Sequence, residues 1–402
     1  MIPLSKYGIV RSMFPFDQDE NLLNMSTRLI VRRAREKNIP VFVLDGRHNY
    51  VQLGLGARGE KIKSTKSRLS NPATNALADS KILTNTLLLL AGIPNPAGTV
   101  VETVTEARRV AKQLEWPIVL KPAYGTAHGH GVSVNITTMR NLATAFREAR
   151  KFTPHVLVEK YVSGEEYRFI IINHKIVAVT NRVPAHVIGD GRSTIRQLVV
   201  RVNRDPGRGD MFGSVLSRIM IDAGTADVLQ KQGFTFHSIP AKEQQVFLTF
   251  KSNIGLGGLP VDITDEISAP LKQLALSAAE VIGLPVAGID IIAPSPQSTT
   301  GTVLEVNGVP GIYPQMFPVR GKPRDTVGLF LDALFPTAKK AYIPLISRGR
   351  ALTKAGMIEQ QYKKIPKAVT FTLNGRKHTD SKPTQPLLGY LINQSVIKII
   401  LN

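Results

Sequence analysis

The sequence predicts a mixed α/β protein (α+β in its arrangement), and three observations carry that prediction. Short apolar runs of strand length alternate with stretches whose apolar residues recur at helical spacing. A glycine-rich strand–loop–strand occupies 117–134. Two further apolar runs, Val286 to Ala293 and Thr302 to Val306, flank a Pro/Ser/Thr/Gly turn and read as a β-hairpin. The 402 residues suffice for two or three domains around substantial cores.

Taken in order, Leu22 to Lys37 has helical spacing with a basic face and feeds the short buried strand Ile39 to Leu44. His48 to Ser70 is Gly-rich and gathers Lys61, Lys63, Lys66 and Arg68; it reads as a solvated loop, with a phosphate or acidic-substrate contact as the alternative. Asn75 to Ala91 is a helix carrying Lys81 that stops at Gly92 and the Ile-Pro-Asn-Pro turn. Thr103 or Thr105 caps the next helix, Thr105 to Leu114. Lys121 then ends a strand a few residues ahead of Gly125, Gly129 and Gly131, whose missing side chains let backbone N–H groups approach an anion. His128 and His130 in that loop lack the further His or Cys that a metal site needs.

Val156 to Glu159 is a strand ending in an acid, and 160–168 turns into a strand from Phe169 to Thr180. Glu159 and Glu166 there are either nucleotide hydrogen-bonding groups or solvated acids of a hairpin edge. Arg182 emerges after that strand, suited to a charge-assisted clamp on a phosphoryl or carboxylate group. Ser193 to Val202 and Ala269 to Ile282 are helices, and between them Phe247 to Gly258 supplies Lys251, Asn253 and a second glycine turn.

The hairpin from Val286 to Val306 carries the chemistry. Asp290 sits mid-strand, and Glu305 and Asn307 lie two residues apart on or just after the second strand, so they share a face. A partner strand can bring Asp290 beside them. Three hard oxygen donors suit Mg²⁺, which keeps water and phosphate oxygens in its remaining positions. An acid within a buried strand is costly unless something pairs it, which argues against chance polar residues.

Composition narrows the setting. The chain has no cysteine, which excludes disulfides, thiolate catalysis, zinc–thiolate sites and Fe–S clusters and points to a reducing cytoplasm. No run reaches the ~18 apolar residues of a membrane span, and the first residues lack a continuous apolar signal segment. A cytoplasmic, membrane-free protein is expected. The net charge of +21 points to anionic partners, and from Lys339 onward twelve Lys/Arg stand against two acids. In that tail Val369 to Leu373, an Asn374-Gly375 turn, a helix-like Pro386 to Ile392 and a strand Ser395 to Leu401 suggest a small β-grasp-like appendage. It is either a docking module for an acidic polymer or protein, or a packed stabilising appendage.

The order of Lys81, VLKP with its glycine loop, VEKYVSGEEYR, NRVPAHVIGDGRSTIRQL, SNIGLGG, AGIDII, LEVNGVPG and GKPRD resembles the ATP-grasp superfamily. Within it the chain is most similar to the ATP-grasp module of cyanophycin synthetases, with the glutathione-synthesising module of the bifunctional bacterial enzymes close behind. The resemblance covers roughly Val51 to Pro336 and implies an ATP-grasp fold, two α/β subdomains enclosing a nucleotide. The division it implies is an N-terminal α/β segment (1–72), an ATP-grasp domain (73–338, with a lid near 117–160) and the appendage (339–402).

It also implies an ATP-dependent carboxylate–amine ligase that works through an acylphosphate and releases ADP and phosphate. Lys81 and Lys121 would hold ATP phosphates under a lid of Gly125, His128, Gly129 and Gly131. Glu159, Lys160, Tyr161 and Val162 would line the adenine pocket, with Glu166 on the ribose. Asp290, Glu305 and Asn307 would bind two Mg²⁺ ions, with Mn²⁺ able to substitute. Many superfamily members place an arginine two residues before the first metal carboxylate, where this chain has Gly288; Arg182 is the expected replacement, with Lys251 and Asn253 beside it in catalysis. The substrates would be an amino-acid or small-peptide carboxylate and an amine. Relatives commonly oligomerise, so a homo-oligomer is expected. No counterpart of the Mur-type module of cyanophycin synthetases is visible, so cyanophycin synthesis as such is not expected. The competing reading is a nucleotide fold without turnover that captures an acidic polymer on its basic surface; without an RNA-recognition or helix-turn-helix pattern, nucleic acid is disfavoured.

Overall fold

The computed structural model describes residues 19–54, 59–124, 131–209 and 214–336, and the backbone of strand segments 345–347, 350–352, 369–373, 376–380 and 399–401. The chain divides into two compact units, Leu69–Thr326 and a second built from its two ends, Met1–Arg68 and Val327–Asn402. In the latter, α1 (Met25–Glu36) starts where the Asn24 side chain accepts from the Thr27 N–H, and its apolar stripe buries Ile30, Val31 and Ala34. β1 (Val41–Asp45), β2 (Tyr50–Leu53) and β3 (Glu60–Lys63) follow as an antiparallel sheet.

The larger unit opens with a difference from expectation. The helix foreseen over Asn75 to Ala91 is two, α2 (Pro72–Asp79) and α3 (Lys81–Leu90). Ser80 between them is extended, and its side chain accepts from the Leu83 N–H; serine competes for backbone groups in this way and so favours caps over helix interiors. Lys81 therefore opens a helix, at its positive end.

β4 (Gly98–Val101), α4 (Val104–Gln113), β5 (Ile118–Pro122), β6 (Ser133–Ile136), α5 (Met139–Arg150) and β7 (Val156–Lys160) form the next layer pair. The strands make an antiparallel sheet in the order β4-β7-β5-β6, and α4 and α5 bury Ala107, Val110, Leu142 and Phe146 with Ile118, Leu120 and Val158 of the sheet. Thr103, not Thr105, caps α4, reciprocally with Glu106. α5 is a helix not expected from the sequence.

The single strand expected from Phe169 to Thr180 is a hairpin, β8 (Glu165–Ile172) and β9 (Lys175–Val183). It reverses at Asn173 and His174, with φ of 50° and 60°; Asn and His are among the residues that tolerate this region. An insertion with its own core then intervenes: β10 (His186–Ile188), α6 (Ile195–Val202), β11 (Arg208–Gly209), β12 (Leu216–Ser217), α7 (Ala223–Lys231) and β13 (Gln245–Phe247), around Val187, Ile195, Val199, Leu229 and Val246.

β14 (Leu259–Asp262), α8 (Ala269–Ile282), β15 (Val286–Ala293) and β16 (Thr302–Asn307) complete a five-stranded antiparallel sheet, β14-β9-β8-β15-β16. Phe169, Ile171, Ile289 and Ile291 pack with Leu88 of α3 and Leu271 and Ala275 of α8. Alternation along the strands turns Arg168, Gly288 and Asp290 to the opposite face.

After α9 (Thr326–Leu334), β17 (Leu345–Ser347), β18 (Arg350–Leu352), β19 (Val369–Leu373), β20 (Arg376–Asp380) and β21 (Ile399–Leu401) form a sheet ordered β18-β17-β21-β19-β20. Its first and last strands lie side by side and parallel, the β-grasp order. The Asn374-Gly375 turn and Pro386 to Ile392 lie outside the described residues. Among the described residues no helix is long and apolar enough to cross a membrane.

Candidate active site

Strand register assembles the site. β15 and β16 pair so that Asp290 faces Glu305 and Gly288 faces Asn307, which puts Asp290, Glu305 and Asn307 on one face. On the other side of β15, β8 sets Arg168 opposite Asp290, and β9 carries Arg182 one strand further on.

Asp290 is only 4% exposed. Arg168 donates to both of its oxygens, through Nε and Nη2. Arg182 Nη1 reaches Asp290 Oδ2 at 3.4 Å and Glu166 Oε1 at 2.9 Å. Burial opposes the charge on Asp290, but the Arg168 and Arg182 guanidinium groups override it and hold the carboxyl below its ordinary range. Burial, reinforced by the charge of Asp290, pushes Glu166 up.

Arg168 is the residue that sequence reading missed. Its signal was available: a lone cation within the apolar run of β8 is as costly as an acid within β15. Gly288 has the complementary explanation. A Cβ there would come 2.9 Å from Arg168 Nη1 and 3.0 Å from Pro310 Cβ. The space above position 288 is thus filled by Arg168, a strand away, rather than by Arg182, which sits beside it.

Lys81 Nζ stands 3.5 Å from Glu305 Oε1. Lys121 Nζ lies 2.6 Å from Glu159 Oε2, and Asn85 Nδ2 of α3 donates to Oε1 at 3.0 Å. Glu159 is 2% exposed and so is no solvated edge acid. Lys160 pairs with Glu115 at 3.0 Å, and the Tyr161 N–H donates to the Pro117 carbonyl at 3.0 Å, which leads the chain through Val162 into β8. Gly131 has φ of 71°, and a Cβ there would meet Phe152 and Pro122 at 2.8 Å. Gly125, His128 and Gly129 lie outside the described residues. Lys251 and Asn253 precede β14; Asn253 Oδ1 accepts from the Gly255 N–H at 2.8 Å, so this side chain shapes the glycine turn. Burial lowers the pKa of Lys251. Asn307 Oδ1 similarly accepts from the Val309 N–H at 2.9 Å.

Among the described residues no three His, Cys, Asp or Glu side chains are grouped for a metal ion. Two carboxylates and an amide remain, and these hard donors suit an ion that takes most of its ligands from water and phosphate. A carboxylate has about four lone-pair directions, so Asp290 keeps capacity for an ion beside its arginines. Donors and cations together fit a metal-bound polyphosphate.

Two family patterns match the chain, D-ala D-ala ligase C-terminus over residues 93–191 and RimK-like ATP-grasp domain over residues 241–316. The chain contains an ATP-grasp domain. Lys121, Glu159, Glu166, Arg168 and Arg182 fall in the first match and Asp290, Glu305 and Asn307 in the second. The ATP-grasp chain is 34% identical over 359 residues to a cyanophycin synthetase of Trichormus variabilis, an alignment covering 87% of this chain and 40% of that protein. It is 31% identical over 333 residues to a glutathione biosynthesis bifunctional protein of Desulfotalea psychrophila, covering 79% and 42%. The crystal structure of a bifunctional glutathione synthetase from Pasteurella multocida superposes with a TM-score of 0.58 at 30% identity, covering 78% of this chain and 43% of that one. The chain spans about two fifths of the length of these relatives.

Proposed function

We propose that this ATP-grasp domain is an ATP-dependent carboxylate–amine ligase for amino acids or small peptides. The observation that carries the reading is Asp290, a buried carboxylate register-paired with Glu305 and held by two arginines, with Lys81 on Glu305. In this reading a carboxylate oxygen of the donor attacks the γ-phosphorus of ATP and ADP leaves. The amine nitrogen then attacks the acylphosphate carbonyl, phosphate leaves, and the amine proton passes to solvent.

Asp290, Glu305 and Asn307 would hold two Mg²⁺ ions, which neutralise phosphate charge and orient the reacting oxygens. Lys81 and Lys121 would bind phosphate oxygens, Glu159 to Val162 would hold the adenine and Glu166 the ribose. Arg168 joins Arg182 in offsetting charge on the transferred phosphoryl group, the main demand of this chemistry. Lys251 and Asn253 border the donor side. The similarity to glutathione- and cyanophycin-forming proteins supports an amino-acid or peptide substrate and a cytoplasmic setting.

The test is Mg-dependent ATP turnover by the purified protein with pooled amino acids and dipeptides, with ADP resolved from AMP and products weighed. The expected result is ADP, phosphate and a new mass equal to donor plus amine minus water, reduced ~10²-fold or more in Glu305→Gln. ATP binding without turnover in every pool would sink the amino-acid ligase.

A further inference from the structure

α2 inverts the usual burial pattern, because the residue it buries is an amide: Asn75 is 5% exposed, while Ala73, Ala76 and Leu77 stay nearer the surface. Buried polar groups are ordinarily hydrogen-bonded. Asn75 is only half so. Its Nδ2 donates to the Asn71 carbonyl at 3.2 Å, but its Oδ1 is buried with no hydrogen-bond partner among the described residues.

That oxygen lies against the turn that follows β16. A Cβ on Gly308 would stand 2.6 Å from Asn75 Oδ1, 3.5 Å from Asn75 Cγ and 3.5 Å from Ala78 Cβ. The φ of Gly308 is outside the left-handed region, so space and not backbone geometry demands the glycine. Asn307 precedes it, with Oδ1 accepting across it from the Val309 N–H at 2.9 Å. α2 and α3 both pack on β16, and Lys81, just past α2, reaches Glu305 at 3.5 Å. The corner around Ser80 thus touches this segment on either side of Asn307, through Lys81 at Glu305 and through Asn75 at Gly308.

A purely structural contact has no use for the polarity here. An apolar side chain would fill the same space without leaving an oxygen unpaired. An amide oxygen one residue from a cation ligand does have a use: the negative end of its dipole favours the cation, and more strongly in a place closed to water.

We propose that Asn75 is a positioning residue for the metal ion: its oxygen braces Gly308, fixes the turn that carries Asn307 and adds a favourable dipole beside the cation. It acts through the turn, as the outer partners of metal ligands do. The inference rests on the assignment of Asn307 to the metal in the ligase reading.

Mn²⁺ binding to the full chain with a non-hydrolysable ATP analogue, followed by loss of the free-ion EPR signal, tests this without turnover. Asn75→Ala is expected to weaken Mn²⁺ binding about 10-fold or more, while the ion-free protein melts within a few degrees of the parent, since an unpaired buried oxygen leaves with the amide. Gly308→Ala is expected to weaken binding as well, by pushing the turn off Asn75. The double substitution is expected to bind Mn²⁺ more tightly than Gly308→Ala alone, because the smaller side chain at 75 admits the new methyl group. Unchanged affinity in Asn75→Ala, or a Gly308→Ala defect that Asn75→Ala does not relieve, would overturn this inference alone. A parent chain that takes up no Mn²⁺ with the nucleotide would overturn the metal assignment and this inference with it.

Discussion

Asp290 concentrates the physics of the site in one side chain. Its two oxygens meet Arg168 and Arg182 in a place almost closed to water. Breaking such a pair leaves a buried charge unmatched, at a cost of about 3–5 kcal/mol. The pH dependence follows from its sign. The carboxyl is held below its ordinary value, so its contribution is complete above the unfolded pKa of ~3.9 and is lost as pH falls through the folded value. Glu166 acts oppositely: held up by burial and by Asp290, it costs stability as pH rises past ~4.3. Asp290→Asn should therefore unfold in urea about 3–5 kcal/mol more easily than the parent at pH 7, with the gap narrowing toward pH 3. An equal gap at both pH values would show that the ion pair is not what Asp290 contributes.

At the scale of elements, the hairpin β15–β16 and its neighbour β8 act as one device, and Gly288 is where they interlock. The strand can carry Asp290 next to Arg168 only if position 288 leaves room for the guanidinium. Gly288→Ala is expected to cost about 1–3 kcal/mol through overpacking, and to lower ATP turnover by moving Arg168. Thermal melting beside turnover checks this. Turnover unchanged in a destabilised Gly288→Ala protein would separate Arg168 from the chemistry. The break at Ser80 has a comparable consequence, since it puts Lys81 at the start of α3, where the helix end adds to the ammonium charge.

For the whole molecule, every described site residue lies within Leu69–Thr326, which has its own cores, while the two chain ends build the other unit. In that second unit Lys37 pairs with Asp332 at 2.5 Å, which joins segments from opposite ends of the sequence. The region 69–326 expressed alone is expected to fold and to bind Mg-ATP, gaining about 2.7 kcal/mol of apparent stability at a hundredfold excess of ligand over Kd. Calorimetry with and without Mg-ATP checks it. A fragment that melts without cooperativity, or that gains nothing from the nucleotide, would place part of the binding determinants in the chain ends.

Much of this was written locally. Strand and helix periods, the turn before Thr302 and the oxygen donors Asp290, Glu305 and Asn307 depend on residues close in sequence, and the run Ala269–Ile282 and both strands of the metal-type hairpin could be placed to within a residue. Reversals made by residues that also suit regular structure were not legible. Ser80 reads as a helix residue until its side chain is seen capping α3, and Asn173-His174 reads as strand until both adopt positive φ. The partner of Asp290 was beyond sequence altogether. Arg168 lies 122 residues away, and they meet because β8 inserts between β9 and β15. Periodicity tells which face a side chain takes but not which strand lies next to it. Sequence by itself therefore determined which residues are candidates for the site, while tertiary structure decided which charges balance Asp290, because strand order and register are set by packing of the whole sheet.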